Sequence, residues 1–179
     1  MTITMIENLL NEYINIINTI NNINKEINKD CKKHKMVRNI NFPSEISENI
    51  VKFFLRKKYN TSNINWNILK GDLKWDNDQL EIKGFSSSGP SSFGPTEQWD
   101  KLYFIDCIKF KEKKFKIYEI CLSNNDNIWK NIKLNNKGET FNDQCNQKRR
   151  PRIKISDLKE QISEFFIDHG EFNFDYLKN

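Results

Sequence analysis

The chain has few of the residues on which soft-metal and nucleophile chemistry rest. It carries only two histidines, His34 and His169, and its four cysteines (Cys31, Cys107, Cys121 and Cys145) stand far apart with no C-x-x-C pair. A zinc site is therefore left without its usual ligand spacing. Cys107 and Cys121 lie within apolar runs and read as small buried hydrophobes. There is no G-x-S-x-G elbow, no triad context for either histidine, no P-loop and no Rossmann glycine fingerprint. Serine-nucleophile, NTPase and dinucleotide chemistry thus have no support, and both histidines read as surface residues. No signal-peptide-like segment or long apolar stretch occurs, so the expectation is a soluble, cytoplasmic protein with reduced thiols and no membrane partner.

What is present points to a folded, mildly basic chain. Thirteen phenylalanines and four tryptophans in 179 residues are enough for a real core, even though the mean hydropathy is −0.76. The length predicts one domain over residues 1–179. Lysine and arginine outnumber aspartate and glutamate by 29 to 24, a formal charge of +5. That excess suits an anionic partner without requiring one.

Along residues 1–30, Ile6, Leu9, Tyr13, Ile16, Ile20, Ile23 and Ile27 step by three and four, and Leu10, Ile14 and Ile17 widen the stripe. This predicts an amphipathic helix that packs either on the protein's own core or against a second copy. Residues 31–39 are basic and read as loop. A second helix follows Pro43, with Ser44 as N-cap, Ile46, Ile50, Phe53 and Phe54 inward, and Lys52, Arg56, Lys57 and Lys58 outward. The period then drops to two. Ile64, Trp66 and Ile68 alternate in a strand that reaches Trp75, a turn takes residues 76–78, and a second strand takes 79–85. Residues 101–110 and 114–123 read as two more strands. Between them and the first pair, residues 86–100 are too rich in serine, glycine and proline for regular structure, and a loop of this length is functional or mobile. Residues 125–135 fit a short helix or a strand, and 146–155 a basic loop. A last helix is predicted over 156–169, with Leu158, Ile162, Phe165 and Phe166 inward and Gly170 as its stop. The fold class is α+β: a mostly antiparallel or mixed central sheet flanked by helices.

One constellation carries chemistry. On a strand over 79–85, Glu81 and Lys83 share a face, and Asp72, at the end of the neighbouring strand, lies within reach of it. Two close carboxylates repel unless a cation shares the site. Mg²⁺, held by one or two carboxylates plus water and substrate phosphate, meets that need. A nearby lysine can orient water and meet developing negative charge. Hairpins also expose such charges as an ordinary solvated face.

The pattern D72-x8-E81-x-K83 resembles the signature of the PD-(D/E)xK nuclease superfamily, and residues 42–166 resemble its type II restriction endonucleases. The resemblance leaves residues 1–30 unmatched, and Gly71 stands where proline is frequent. It implies that Asp72 and Glu81 bind Mg²⁺ with help from the Ile82 carbonyl, and that Lys83 positions the attacking water. It further implies a helix glutamate facing the site, with Glu48 the better match and Glu45 the alternative. Cut DNA would carry a 5′-phosphate and a 3′-hydroxyl, and a companion methyltransferase would protect the host.

Two segments could read DNA. Gln147, Lys148, Arg149, Arg150 and Arg152 cluster around Pro151, and arginine contacts both phosphates and guanine edges. Ser86, Ser87, Ser88, Ser91 and Ser92 could approach phosphates or bases, with Phe93 as wedge or anchor. The reading is a Mg²⁺-dependent endonuclease that cuts double-stranded DNA at a short palindrome as a homodimer. The alternatives are a structure-specific nuclease, such as a junction resolvase or repair nuclease, and a basic nucleic-acid-binding protein without chemistry.

Overall fold

Residues 78–85 alternate between two buried faces, and the whole architecture is arranged around them. The structure is a computed structural model and describes residues 1–30, 37–38, 40–67 and 71–178. Cys31, His34, Ile68 and most of the basic 31–39 stretch lie outside the described residues.

Helices α1 (Ile3–Asp30) and α2 (Ser44–Lys58) come first, followed by strands β1 (Ile64–Trp66), β2 (Leu73–Trp75) and β3 (Asp78–Phe85). Then come β4 (Ser91–Ser92), β5 (Lys101–Asp106), β6 (Lys114–Ile120) and the short helices α3 (Asn127–Lys130) and α4 (Phe141–Asn146). Next come β7 (Arg152–Ile153), α5 (Ile155–Gln161) and β8 (Phe166–Asn173), followed by a single 3-10 turn over Phe174–Leu177. Among the described residues, six strands form a mixed sheet in the order β1-β2-β3-β5-β6-β8, in which only the β3–β5 pair is parallel. This is the expected α+β class. Two antiparallel neighbours can share a tight turn, but a parallel pair needs a long crossover; residues 86–100 supply it.

One face of the sheet is covered by α1 and α2. Leu80, Ile82, Tyr103, Ile105 and Ile117 pack there on Ile6, Leu10, Tyr13, Ile46, Ile50 and Phe54. The other face is covered by the α3–α5 segment, where Leu102, Phe104 and Ile120 meet Phe93, Trp99, Trp129, Phe141 and Leu158. Since side chains alternate along a strand, Glu81 and Lys83 belong to this second face.

Several expectations need correction. Of the two packings open to α1, the one on the protein's own core is seen, through Ile6, Leu10, Tyr13 and Ile17, but Leu9, Ile16 and Ile23, expected in the apolar stripe, stay exposed. The Tyr13 hydroxyl donates to the Ile40 carbonyl at 2.9 Å, and Glu7 binds both Lys113 and Lys178. The N-cap of α2 is Pro43 rather than Ser44. Lys52 is only 9% exposed, its stem buried and its ammonium 4.8 Å from the centre of the Trp66 ring, a cationic head resting on an aromatic face. The single strand expected over 64–75 is two antiparallel ones, Ile64 pairing with Trp75, so Asp72 stands immediately before β2 instead of ending a strand.

The expected last helix stops at Gln161. Residues 166–173 form β8 on β6, and Gly170 lies inside that strand, with φ +82°. The helical spacing of Leu158 and Ile162 runs on through Phe166, His169 and Phe172, but the helix does not: an otherwise unpaired β6 edge offers these residues a full ladder of backbone partners. His169 is no surface residue. Its side chain is 2% exposed and pairs through Nε2 with Glu119 Oε2 at 2.9 Å. Cys107 is buried as expected, but Cys121 is exposed. The undecided 125–135 segment holds α3, with the Asp126 carboxylate accepting from the Ile128 N–H as its cap.

Candidate active site

Asp72 is placed by its neighbours on either side. Gly71 has φ +69°, and a Cβ there would lie 3.0 Å from the Leu80 carbonyl oxygen. Proline, locked near −65°, could not take this conformation, which accounts for glycine at this position. Leu73 pairs with Leu80, so Asp72 stands across from Glu81. Past this pair β3 loses its β2 neighbour, and the Asp72 carboxylate fills the gap by accepting the Ile82 N–H at 2.7 Å. Burial raises the Asp72 carboxyl above its ordinary value, and this hydrogen bond opposes the rise.

Glu81 is 5% exposed. Burial pushes its pKa up to about 7 against the pull of Lys83. The Lys83 ammonium lies 2.6 Å from Glu81 Oε1 and 2.9 Å from Glu97 Oε2. Desolvation works against the ammonium, but these two carboxylates outweigh it and hold the Lys83 pKa above its usual value. Lys83 is therefore a cation here. A cation in this position can meet negative charge but cannot accept a proton.

Glu48 reaches the same place from α2. That helix can approach β3 because position 84 is glycine: a Cβ there would lie 2.9 Å from both Cβ and Oγ of Ser47. Burial, then repulsion from Asp72, Glu45 and Glu81, raises the Glu48 pKa to about 7. Glu45, the alternative helix residue, is exposed and takes a hydrogen bond from its neighbour Ser44.

Glu48, Asp72, Glu81, Lys83 and Glu97 line one cleft of about 590 Å³. Four carboxylates surround one ammonium, an all-oxygen donor set with a surplus of negative charge. Hard divalent cations fit such a site, and Mg²⁺ needs only one or two of the carboxylates. Among the described residues no three His, Cys, Asp or Glu side chains stand close enough together to hold a metal by themselves.

The DNA-reading candidates divide. Ser86, Ser87, Ser91, Ser92 and Arg150 line the cleft. Ser88 is exposed, lining a separate recess beside Asp106 and Lys154. Gln147 and Lys148 are exposed after α4, with Lys148 in the left-handed region at φ +56°. Arg149 is turned to Glu139 at 2.8 Å. Arg152 is exposed on β7, where it pairs with Ser92 of β4. The two loops expected to be irregular are thus joined by a short antiparallel ribbon, and the Phe93 N–H extends it by donating to the Pro151 carbonyl at 2.9 Å. Phe93 is fully buried against Trp99, Phe104, Trp129 and Phe141. It anchors the loop and is not free to wedge into DNA.

Glu97 is the residue that sequence reasoning missed. One signal was available: it is the only charged residue between Lys83 and Asp100. No curated protein and no solved structure matched the chain. The family model of the Bsp6I restriction endonuclease matches residues 8–163, which takes in most of α1 as well as the cleft. The chain belongs to the Bsp6I restriction endonuclease family, type II site-specific deoxyribonucleases acting on double-stranded DNA.

Proposed function

We propose that the chain is a Mg²⁺-dependent PD-(D/E)xK enzyme that cuts within a short palindromic site and leaves 5′-phosphate and 3′-hydroxyl ends. The observation that carries this reading is the meeting of Glu48, Asp72, Glu81 and Lys83 in one cleft. Residues 42–166 would form the nuclease core. Asp72 and Glu81, with the Ile82 carbonyl, would hold Mg²⁺, which when bound offsets phosphate charge and makes a coordinated water more acidic. Lys83 stands beside the carboxylates as a cation, suited to orient the attacking water and to meet charge that develops on the phosphate. Glu48 contributes a further acceptor from α2 for a water or for Lys83.

The DNA surface would consist of Arg150 and the serines of residues 86–92 at the cleft mouth, with Gln147, Lys148, Arg149 and Arg152 beside them. The β4–β7 ribbon supports the assignment by tying both loops into one unit. Cutting both strands of a palindrome asks for two active sites related by a two-fold axis. The exposed row of Leu9, Ile16 and Ile23, seven residues apart on α1, is the face we assign to a homodimer seam. A companion methyltransferase would modify the same site in the host.

The test is digestion of several unmethylated DNAs with Mg²⁺ and with EDTA, alongside Asp72→Ala. Discrete fragments that require both Mg²⁺ and Asp72, with ends that ligate without prior phosphorylation, are expected. Cutting that survives Asp72→Ala overturns the site assignment. Cutting confined to branched DNA overturns palindrome recognition.

A further inference from the structure

Lys83 has two charge partners of different origin, and the proposed reaction uses only one of them. Glu81 sits two residues away on the same strand; Glu97 comes from the crossover between β3 and β5. A carboxylate on a crossover would ordinarily be a solvated one, but this one is fixed at several points. The Glu97 carbonyl accepts from Asn124 Nδ2 at 3.0 Å, and Asn124 Oδ1 in turn accepts the Trp99 N–H at 3.0 Å. Trp99 Nε1 donates to the Leu122 carbonyl at 3.2 Å, and both Trp99 and Phe93 are buried on either side. Gly94 leaves room for the carboxylate, since a Cβ there would lie 2.9 Å from Glu97 Oε1. Glu97 Oε2 is buried without an aligned hydrogen bond; the Lys83 ammonium at 2.9 Å is the charge that compensates it. The same ammonium lies 5.3 Å from the centre of the Phe93 ring.

We infer that Glu97 is a positioning residue, which holds the Lys83 ammonium in the cleft independently of Glu81 and so frees Glu81 to bind a cation. This rests on the proposed reading of Asp72, Glu81 and Lys83 as the reacting groups. The reason is electrostatic. A carboxylate shared between an ammonium and a divalent cation sets like charges side by side, and a second carboxylate on the far side of the ammonium offsets that repulsion. Without Glu97, the long and flexible lysine stem would leave the ammonium to be displaced as Glu81 changes partner.

The test compares wild type with Glu97→Gln, Glu97→Asp, Lys83→Ala, Asp72→Ala and the double variant Glu97→Gln/Lys83→Ala. Four quantities are read: single-turnover cutting with Mg²⁺, DNA affinity in EDTA, Tm, and trace acetylation of Lys83 in the metal-free protein by mass spectrometry. Glu97→Gln should cut up to about 100-fold more slowly, as expected for a reacting group misplaced by about an ångström, with DNA affinity and Tm held. Its Lys83 should be acetylated severalfold faster while the other lysines are unchanged. Glu97→Asp should restore most of both, and Glu97→Gln should cost nothing further in the Lys83→Ala background. Wild-type cutting and wild-type Lys83 acetylation in Glu97→Gln, with Asp72→Ala and Lys83→Ala inactive, overturn the inference and leave the active-site reading standing. Wild-type cutting by Asp72→Ala and Lys83→Ala overturns the active-site reading itself. A Glu97→Gln protein whose Tm, affinity and rate fall together, with Lys83 acetylation unchanged, marks a structural role and also overturns the inference.

Discussion

Gly84 and Ser47 meet so closely that no side chain fits between them: a Cβ at position 84 would lie 2.9 Å from both Cβ and Oγ of Ser47. This contact sets the distance between α2 and β3, and with it the reach of Glu48 into the cleft. Gly84→Ala should therefore push α2 away. The expected cost is about 1–3 kcal/mol of stability, typical of overpacking, together with a loss of cutting larger than the fall in stability explains. Ser47→Gly in the same chain should recover cutting, though glycine in a helix itself costs about 1 kcal/mol. Urea denaturation and a cleavage time course on the single and double variants check both effects. Equal cutting by Gly84→Ala and wild type would dissociate helix placement from the chemistry.

Gly71 supplies a second backbone condition. At φ +69° and 3.0 Å from the Leu80 oxygen, alanine there should destabilise the fold by about 1–2 kcal/mol, the usual penalty for a side chain in the left-handed region. It should also move Asp72 away from the Ile82 N–H and slow cutting. Gly71→Pro should be worse than Gly71→Ala, because the proline ring locks φ near −65°. A Gly71→Pro protein as stable and active as wild type would contradict the observed backbone.

Glu119 provides a pH test remote from the cleft. Burial works against its carboxylate, but the hydrogen bond from His169, with Tyr103 and Cys121 adding to it, outweighs this and leaves the folded-state pKa below 4.5. A depressed carboxylate stabilises the fold fully above its unfolded-state pKa, and that stability is lost as pH falls through the folded-state value. The urea midpoint should thus drop as the pH is taken from 7 to below 4.5. Glu119→Gln should be less stable than wild type at pH 7, and the gap should close on acidification. A gap that stays constant over this range would rule out the coupling.

Arg150 and Arg149 should separate in binding experiments. Arg150 is exposed and lines the cleft, whereas Arg149 is already engaged by Glu139. As a phosphate contact, Arg150→Ala should lower affinity across all sequences and reduce the salt slope of binding by about one. Arg149→Ala should change that slope less. Fluorescence anisotropy titrations at several salt concentrations, in EDTA, measure both. Identical slopes for the two variants and wild type would remove this loop from the phosphate-contacting surface.

Much of this protein was legible in local pattern. The spacing of Ile6, Tyr13 and Ile17 announced α1, and Ile46, Ile50 and Phe54 announced the inner face of α2. The alternation of Leu80 and Ile82 with Glu81 and Lys83 correctly set the charged pair on the opposite face from the apolar one. Periodicity works there because each element buries a single stripe or face. It fails where pairing rather than pattern decides. Residues 166–173 have the spacing of a helix but complete the open edge of β6. Ser91 and Ser92 look like coil and form a ribbon with Arg152 and Ile153.

By itself, the sequence determined the α+β class, the choice of strand for Glu81 and Lys83, and the surplus of positive charge, because these follow from side-chain order and composition. Only the tertiary structure decided which distant residues share the cleft. Glu48, Glu97 and Arg150 lie on a helix and two loops far apart along the chain. They converge because Gly84 admits α2, Asn124 pins residue 97, and the β4–β7 ribbon brings the arginine loop alongside. Each of these is a close contact across long stretches of chain, formed only when the core on both faces of the sheet has closed. No local periodicity encodes such a contact.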